Sequence, residues 1–279
     1  MEEWTMILVV ASNKDPASLN IKKQILTHYR FNETTERFQE NTTYASQVNS
    51  KDVKLITLNQ ESIHAQDLTT FFTEPELVVF ISRHSSMSGT PTLSVHTPGN
   101  LGEAELGGNP RDVSVSPANA MRDALKVMAK MKEEIQLKYQ VSYESTHHGP
   151  SLNAPTMFAE LGSSPEQWSD AAAAEAVAHA TMEAVSKFGS FPAETVLGIG
   201  GPHYNSKFTR KALEKQVAFG HMIAKHSVPQ ISSEILQQCI RKTLEKVEYV
   251  VLDWKGIRGD DKPRLIEMLN ETGLQIQKV

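Results

Sequence analysis

Apolar residues along this chain fall into short continuous runs separated by polar stretches with helical spacing. Residues 5–12 are β-rich and almost wholly apolar, which predicts a buried strand broken by Asn13-Lys14-Asp15-Pro16. A helix is predicted from Pro16 or Ala17 to Tyr29. Residues 53–58 alternate as a strand does, 76–82 form a second continuous apolar run, and 92–96 make a short strand. Further strands are predicted at 140–146, 194–200 and 248–253. Ser116-Pro117 predicts a serine-capped helix with proline at its first position, running to Glu134. Ser164-Pro165-Glu166-Gln167 reads as a capping box opening a long alanine-rich helix to Lys187. Two more helices are predicted at 232–247 and 261–270, while 99–110 and 151–162 read as loop.

Strands alternating with helices predict an α/β fold with a mostly parallel sheet sandwiched by helices. The chain reads as a single α/β domain over residues 1–279, with 31–50 and 99–115 as loop excursions. In such folds ligands collect beyond the carboxyl ends of the strands.

Composition narrows the picture. At 39% hydrophobic and 22% charged residues the chain is ordinary for a globular enzyme, and no apolar run approaches the roughly 18 residues of a membrane span. The acidic start, Met1-Glu2-Glu3-Trp4, is unlike a secretory signal, so the expected compartment is the cytosol. The one cysteine, Cys239, excludes an internal disulfide or a multi-cysteine zinc ribbon, and its amphipathic surroundings suit a small buried apolar group. A net charge of -5 argues against gripping nucleic acid by bulk charge, so an RNA substrate needs a local basic patch.

Ten histidines change the picture more, because several end predicted strands. His84 lies in Ser82-Arg83-His84-Ser85-Ser86, His96 in Val95-His96-Thr97-Pro98-Gly99-Asn100, His147 and His148 in Thr146-His147-His148-Gly149-Pro150, and His203 in Gly200-Gly201-Pro202-His203-Tyr204. On a parallel sheet these five converge on one rim. Imidazole suits zinc, and a catalytic zinc site needs three or four N/O ligands with an open position. Glu160 is the first carboxylate to join them and Glu144 the second, with Glu144 and His148 expected on one strand face and His147 on the other. His28, His64 and His226 read as ordinary surface or helix-end residues, and His221 as intermediate. Glu175, His179 and Glu183 recur every fourth residue on the alanine-rich helix; that spacing can bind metal but suits a polar stripe better.

Gly198-x-Gly200-Gly201 after a strand is a weak dinucleotide fingerprint; the amides of Gly200 and Gly201 better suit an oxyanion or phosphate. Lys207, Arg210, Lys211 and Lys215 follow His203 closely, as a tRNA-binding patch or a solvated helix face.

In this order, the motifs around His84, His96, His147-His148, Glu160-Leu161-Gly162-Ser163 and His203 resemble the archaeal- and plant-type D-aminoacyl-tRNA deacylases over almost the whole chain. The resemblance implies hydrolysis of the ester joining a D-amino acid to tRNA, two zinc ions per chain, and an α/β architecture similar to phosphorylases and peptidyl-tRNA hydrolases. It also implies a D-aminoacyl-tRNA substrate, with no membrane or DNA partner, in a monomer or small homo-oligomer. The expected ligands are drawn from His84, His96, His147, His148, Glu160 and His203, with Glu160, His148 and Glu144 as candidate acid–base residues. The alternatives are another metal-dependent amidohydrolase or esterase, or a non-catalytic RNA-binding protein with a structural metal.

Overall fold

A computed structural model describes residues 6–279; the acidic start, Met1 to Trp4, and Thr5 of the first predicted strand lie outside the described residues. The first apolar run forms β1 (Met6–Ser12), and Asp15, whose carboxylate accepts from the Ser18 amide, caps α1 (Pro16–His28). Then come β2 (Asn32–Phe38), β3 (Asn41–Val48), β4 (Lys51–Leu58), a short α2 (Leu68–Phe71), β5 (Leu77–Ser85) and β6 (Thr92–His96). Two-residue strands β7 (Gly99–Asn100) and β8 (Asp112–Val113) precede α3 (Ala118–Glu134), β9 (Gln140–Tyr143), β10 (Thr156–Ser163), α4 (Pro165–Trp168) and α5 (Ala171–Lys187). The chain continues through β11 (Glu194–Ile199), α6 (Ser206–Glu214), β12 (Val217–Ile223), α7 (Ser233–Arg241), β13 (Val247–Leu252), α8 (Lys262–Asn270) and β14 (Gln275–Lys278).

Eight strands form one sheet in the order β2-β3-β4-β1-β5-β10-β6-β9, and four form a second, β12-β11-β13-β14. In the first, β4, β1, β5 and β10 run parallel, as do β6 and β9, while β2–β3, β3–β4 and β10–β6 are antiparallel. The second sheet is parallel throughout. The expected α/β class with a mainly parallel sheet and flanking helices therefore holds.

Side-chain alternation sorts the core. Ile7, Val79, Ile81, Ala159 and Leu161 pack beneath α1, α3 and α5, where alanines 173, 176, 180 and 184 are wholly buried and let the helices approach closely. Leu8, Val10, Val78, Phe80 and Phe158 face the other way. Leu197, Ile199, Val250 and Leu252 of the second sheet pack on α7 and α8, burying Cys239 as expected. Among the described residues no helix is long and apolar enough to cross a membrane.

Several local expectations are corrected. Residues 31–50 are no excursion: β2 and β3 extend the sheet past β4. Residues 156–162, within the stretch read as loop, belong to strand β10, and β12 had no counterpart in the sequence reading. Ser116 does not cap α3; the Glu245 carboxylate accepts from the Ala118 and Asn119 amides at 3.0 and 2.9 Å. The alanine-rich helix breaks after Trp168 because Asp170 caps α5, while Ser164 spends its hydroxyl on the Gln167 side chain. The helix predicted to reach residue 247 stops at Arg241.

Candidate active site

The period-two geometry of β5 and β10 builds the floor of the site. Phe80, Ser82 and His84 lie opposite Phe158, Glu160 and Gly162, so one sheet face turns from apolar to polar toward the strand ends. β6 arrives antiparallel and places His96 opposite Phe158, where the rings stack 5.1 Å apart. His96 thus reaches the site from the opposite strand direction, a departure from the single parallel rim the sequence suggested.

Residues 144–148 lace the two sheets together. The Glu144 amide donates to Val95, the Ser145 amide to His203, and the Thr146 amide to Met222. The chain leaves extended geometry here: His148 has φ of 43°, an uncommon conformation for a non-glycine residue. His147 and His148 therefore do not take opposite faces as a continued strand requires. Their rings lie 4.3 Å apart, and the His147 ring is 4.4 Å from His96 and 4.5 Å from His203.

All five strand-end histidines thus gather with Glu144 and Glu160. Glu144 is fully buried and stands 2.9 Å from His203 Nε2, 3.4 Å from His84 Nδ1 and 3.8 Å from His147 Nε2. Glu160 lies 3.6 Å from His84 Nδ1 and 3.8 Å from His96 Nε2. Burial alone pushes both carboxyls up, but the hydrogen bond from His203 to Glu144 and the close approach of His84 and His96 to both carboxylates outweigh it, and both titrate below the usual carboxylate range. Burial pulls His84 and His96 down, but the adjoining carboxylates reverse this and raise both. Desolvation and neighbouring histidines hold His147 well below the ordinary value and His148 at about 4.

The donor set fits a metal. Both ring nitrogens of buried His96 and Oε1 of Glu144 lack any hydrogen-bond partner, a costly arrangement without a cation. His147 and His148 each donate Nδ1–H to a backbone carbonyl, of Ser145 at 2.8 Å and Gly149 at 2.7 Å. Those bonds leave Nε2 with its lone pair, the tautomer a metal needs. Three overlapping triads have ligand atoms within 4.8 Å of one another: His96, His147 and His148; Glu144, His147 and His203; His84, Glu144 and Glu160.

Other expectations fare differently. The Gly200 and Gly201 amides already donate to the carbonyls of Ile223 at 2.8 Å and Gly256 at 3.3 Å, so neither is free for an oxyanion or phosphate. Lys207 leaves the basic patch: its ammonium pairs with Asp253 at 2.6 Å. Arg210 lines a cavity of ≈450 Å³ with Lys132 and Tyr204, beside the site; Lys211 is half-buried and Lys215 exposed at the helix end. His221 is wholly buried away from the cluster, bridging Thr146 and the Lys242 carbonyl. His226, read as ordinary, lines a ≈510 Å³ cavity with His147, His148 and the loop Gly99–Leu106.

Two functional candidates escaped the sequence reading. The Tyr204 hydroxyl is hydrogen-bonded to His84 Nε2, and the Ser145 hydroxyl lies 2.7 Å from His203 Nδ1. Both adjoin singled-out residues in the chain, which was the signal available.

A family model of D-aminoacyl-tRNA deacylase matches residues 71–277. The D-aminoacyl-tRNA deacylase of Pyrococcus furiosus is 36% identical over 279 residues, covering 98% of this chain and all of that protein. That of Thermococcus kodakarensis is 36% identical over 276 residues, covering 97% and 98%. The crystal structure of a conserved protein of unknown function, AF0625, superposes with a TM-score of 0.86 at 29% identity, covering 98% of this chain and 95% of that one. With the family model matching most of the chain and full-length relatives at 36% identity, the chain belongs to the D-aminoacyl-tRNA deacylase family.

Proposed function

We propose that this protein hydrolyses the ester between a D-amino acid and tRNA, releasing both, with zinc held in the histidine–carboxylate cluster. The observation that carries this reading is the set of unpartnered buried donors, His96 Nδ1 and Nε2 and Glu144 Oε1, in a chain whose full-length relatives are named D-aminoacyl-tRNA deacylases. His96, His147 and His148 would hold one ion, and His84, Glu144 and Glu160 a second. Zinc bound there supplies a Lewis acid and brings the ionisation of water down to about pH 7.

The chain's own groups then divide the remaining work. Glu144 serves two purposes, with Oε1 free of any hydrogen bond and Oε2 holding His203 Nε2 at 2.9 Å. With Nε2–H held by Glu144 and Nδ1 accepting from the Ser145 hydroxyl, His203 takes the proton lost by the attacking water through that hydroxyl and returns it by the same route to the departing ribose oxygen. Tyr204, a neutral hydroxyl at the edge of the ≈450 Å³ cavity, donates to the carbonyl oxygen as it gains charge. Arg210 and Lys132 in the same cavity wall face the phosphates of the acceptor end.

A metal-free reading has one observation in its favour. Ser145 Oγ, His203 and Glu144 form a continuous chain at 2.7 and 2.9 Å, the connectivity of a hydroxyl, a base and an orienting acid. Exhaustive chelation followed by a D-Tyr-tRNA deacylation assay separates the two. The zinc reading expects activity to vanish and to return with added zinc; full activity after verified metal removal transfers the chemistry to that chain. A simple D-tyrosine ester, compared in parallel, tests the tRNA requirement.

A further inference from the structure

On the far side of the helical layer, the motif of Glu175 and His179 acquires a third member from another element. We propose that His28, Glu175 and His179 form a second type of metal site, for a divalent transition-metal ion of the zinc class, stapling the C-terminal end of α1 to α5. One ligand atom from each lies within 4.8 Å of the others, and the triad shares no residue with the catalytic cluster. His28 Nε2 and His179 Nε2 stand 3.7 and 3.6 Å from the same Glu175 oxygen. Those separations are too long for hydrogen bonds, whereas two donors on one tetrahedral zinc stand about 3.4 Å apart.

The surroundings support a cation. His179 Nδ1 is 2.7 Å from the Tyr29 hydroxyl, and with Nδ1–H donating to that oxygen its Nε2 keeps the lone pair that ligation requires. His28 is the last residue of α1, where free carbonyls favour positive charge. Glu183, next in the four-residue series, is drawn away to Lys187 at 2.6 Å, so the stripe does not compete for its own histidine. The three side chains keep 33%, 35% and 30% of their surface exposed, so the site is reachable by an ion from solution.

The test is thermal unfolding of the full chain in chelator and in excess zinc, for the wild type, His28→Ala, Glu175→Gln and Glu175→His. Stabilisation through the catalytic cluster is common to all four and cancels. The wild type is expected to gain about 4 °C or more beyond the gain of His28→Ala and Glu175→Gln. Glu175→His, which keeps a metal ligand but loses the carboxylate, recovers that gain, and D-Tyr-tRNA deacylation is equal in all four. A zinc-soaked crystal shows an anomalous peak among the three side chains. Equal zinc-dependent gains in wild type and Glu175→Gln, no recovery with histidine, or no peak at saturating zinc would each overturn the proposal.

Discussion

Glu144 and His203, 59 residues apart in sequence, meet at 2.9 Å where the loops of the two sheets cross, and the second oxygen of the same fully buried carboxylate has no hydrogen-bond partner. Glu144→Gln keeps the shape and removes the charge. We expect kcat for D-Tyr-tRNA to fall about 100-fold or more, with KM little changed and the far-ultraviolet circular dichroism retained. Single-turnover kinetics measure it; a loss under threefold sinks the central role given to Glu144.

Tyr204 touches the cluster through one hydroxyl. Tyr204→Phe removes that oxygen and keeps the ring that packs 5.0 Å from His203. A reduction in kcat of about 10-fold or more is expected at unchanged thermal stability, as for loss of a single donor at a reacting carbonyl. An unchanged kcat assigns Tyr204 to packing alone.

Arg210 and Lys207 separate binding from folding, although both lie on α6. Arg210→Ala is expected to raise KM for tRNA and reduce the salt slope of binding by about one. Lys207→Ala leaves the buried Asp253 carboxylate without its ammonium, so it should cost about 1 kcal/mol of stability and spare the salt slope. Filter binding across a salt series, with urea unfolding of both variants, distinguishes them.

Acid should weaken the fold through His221, which burial holds at about 4. The unfolded imidazole takes a proton near pH 6.5, so stability is full above that value. It is lost as pH falls toward 4, by on the order of 3 kcal/mol. His221→Gln should make the urea-midpoint profile shallower between those limits, leaving the slope contributed by His147 and His148; a profile parallel to the wild type would show that His221 contributes none of it.

Glu245 closes α3 from 126 residues away in sequence, as measured from Asn119. Glu245→Ala is expected to cost about 1 kcal/mol through two lost amide partners, with deacylation rates preserved. Chemical denaturation beside a single activity measurement suffices to check it.

Much of this arrangement was legible in the sequence, and the exceptions have physical causes. The histidines were found because each follows an apolar run. Strand β10 was missed because Glu160 and Gly162 interrupt its apolar pattern, so the residues that make it functional also disguise it. Strands β2 and β3 lie at the sheet edge with little burial, so they carry no hydrophobic alternation to read. The cap of α3 was invisible because it comes from a distant carboxylate. Free amides at Gly200 and Gly201 were a fair guess from composition, but their carbonyl partners come from β12 and from the turn at Gly256, contacts that only the folded chain reveals.

The pairing of Gly162 with His84 leaves no room for even one methyl group, since a β-carbon there would sit 2.6 Å from that of the histidine. The imidazole is therefore aimed by bare backbone pressed against it from the neighbouring strand. A chain of this lineage that replaces this glycine must tilt its histidine or part its central strands, which makes residue 162 a sentinel for whether a relative keeps the same working geometry.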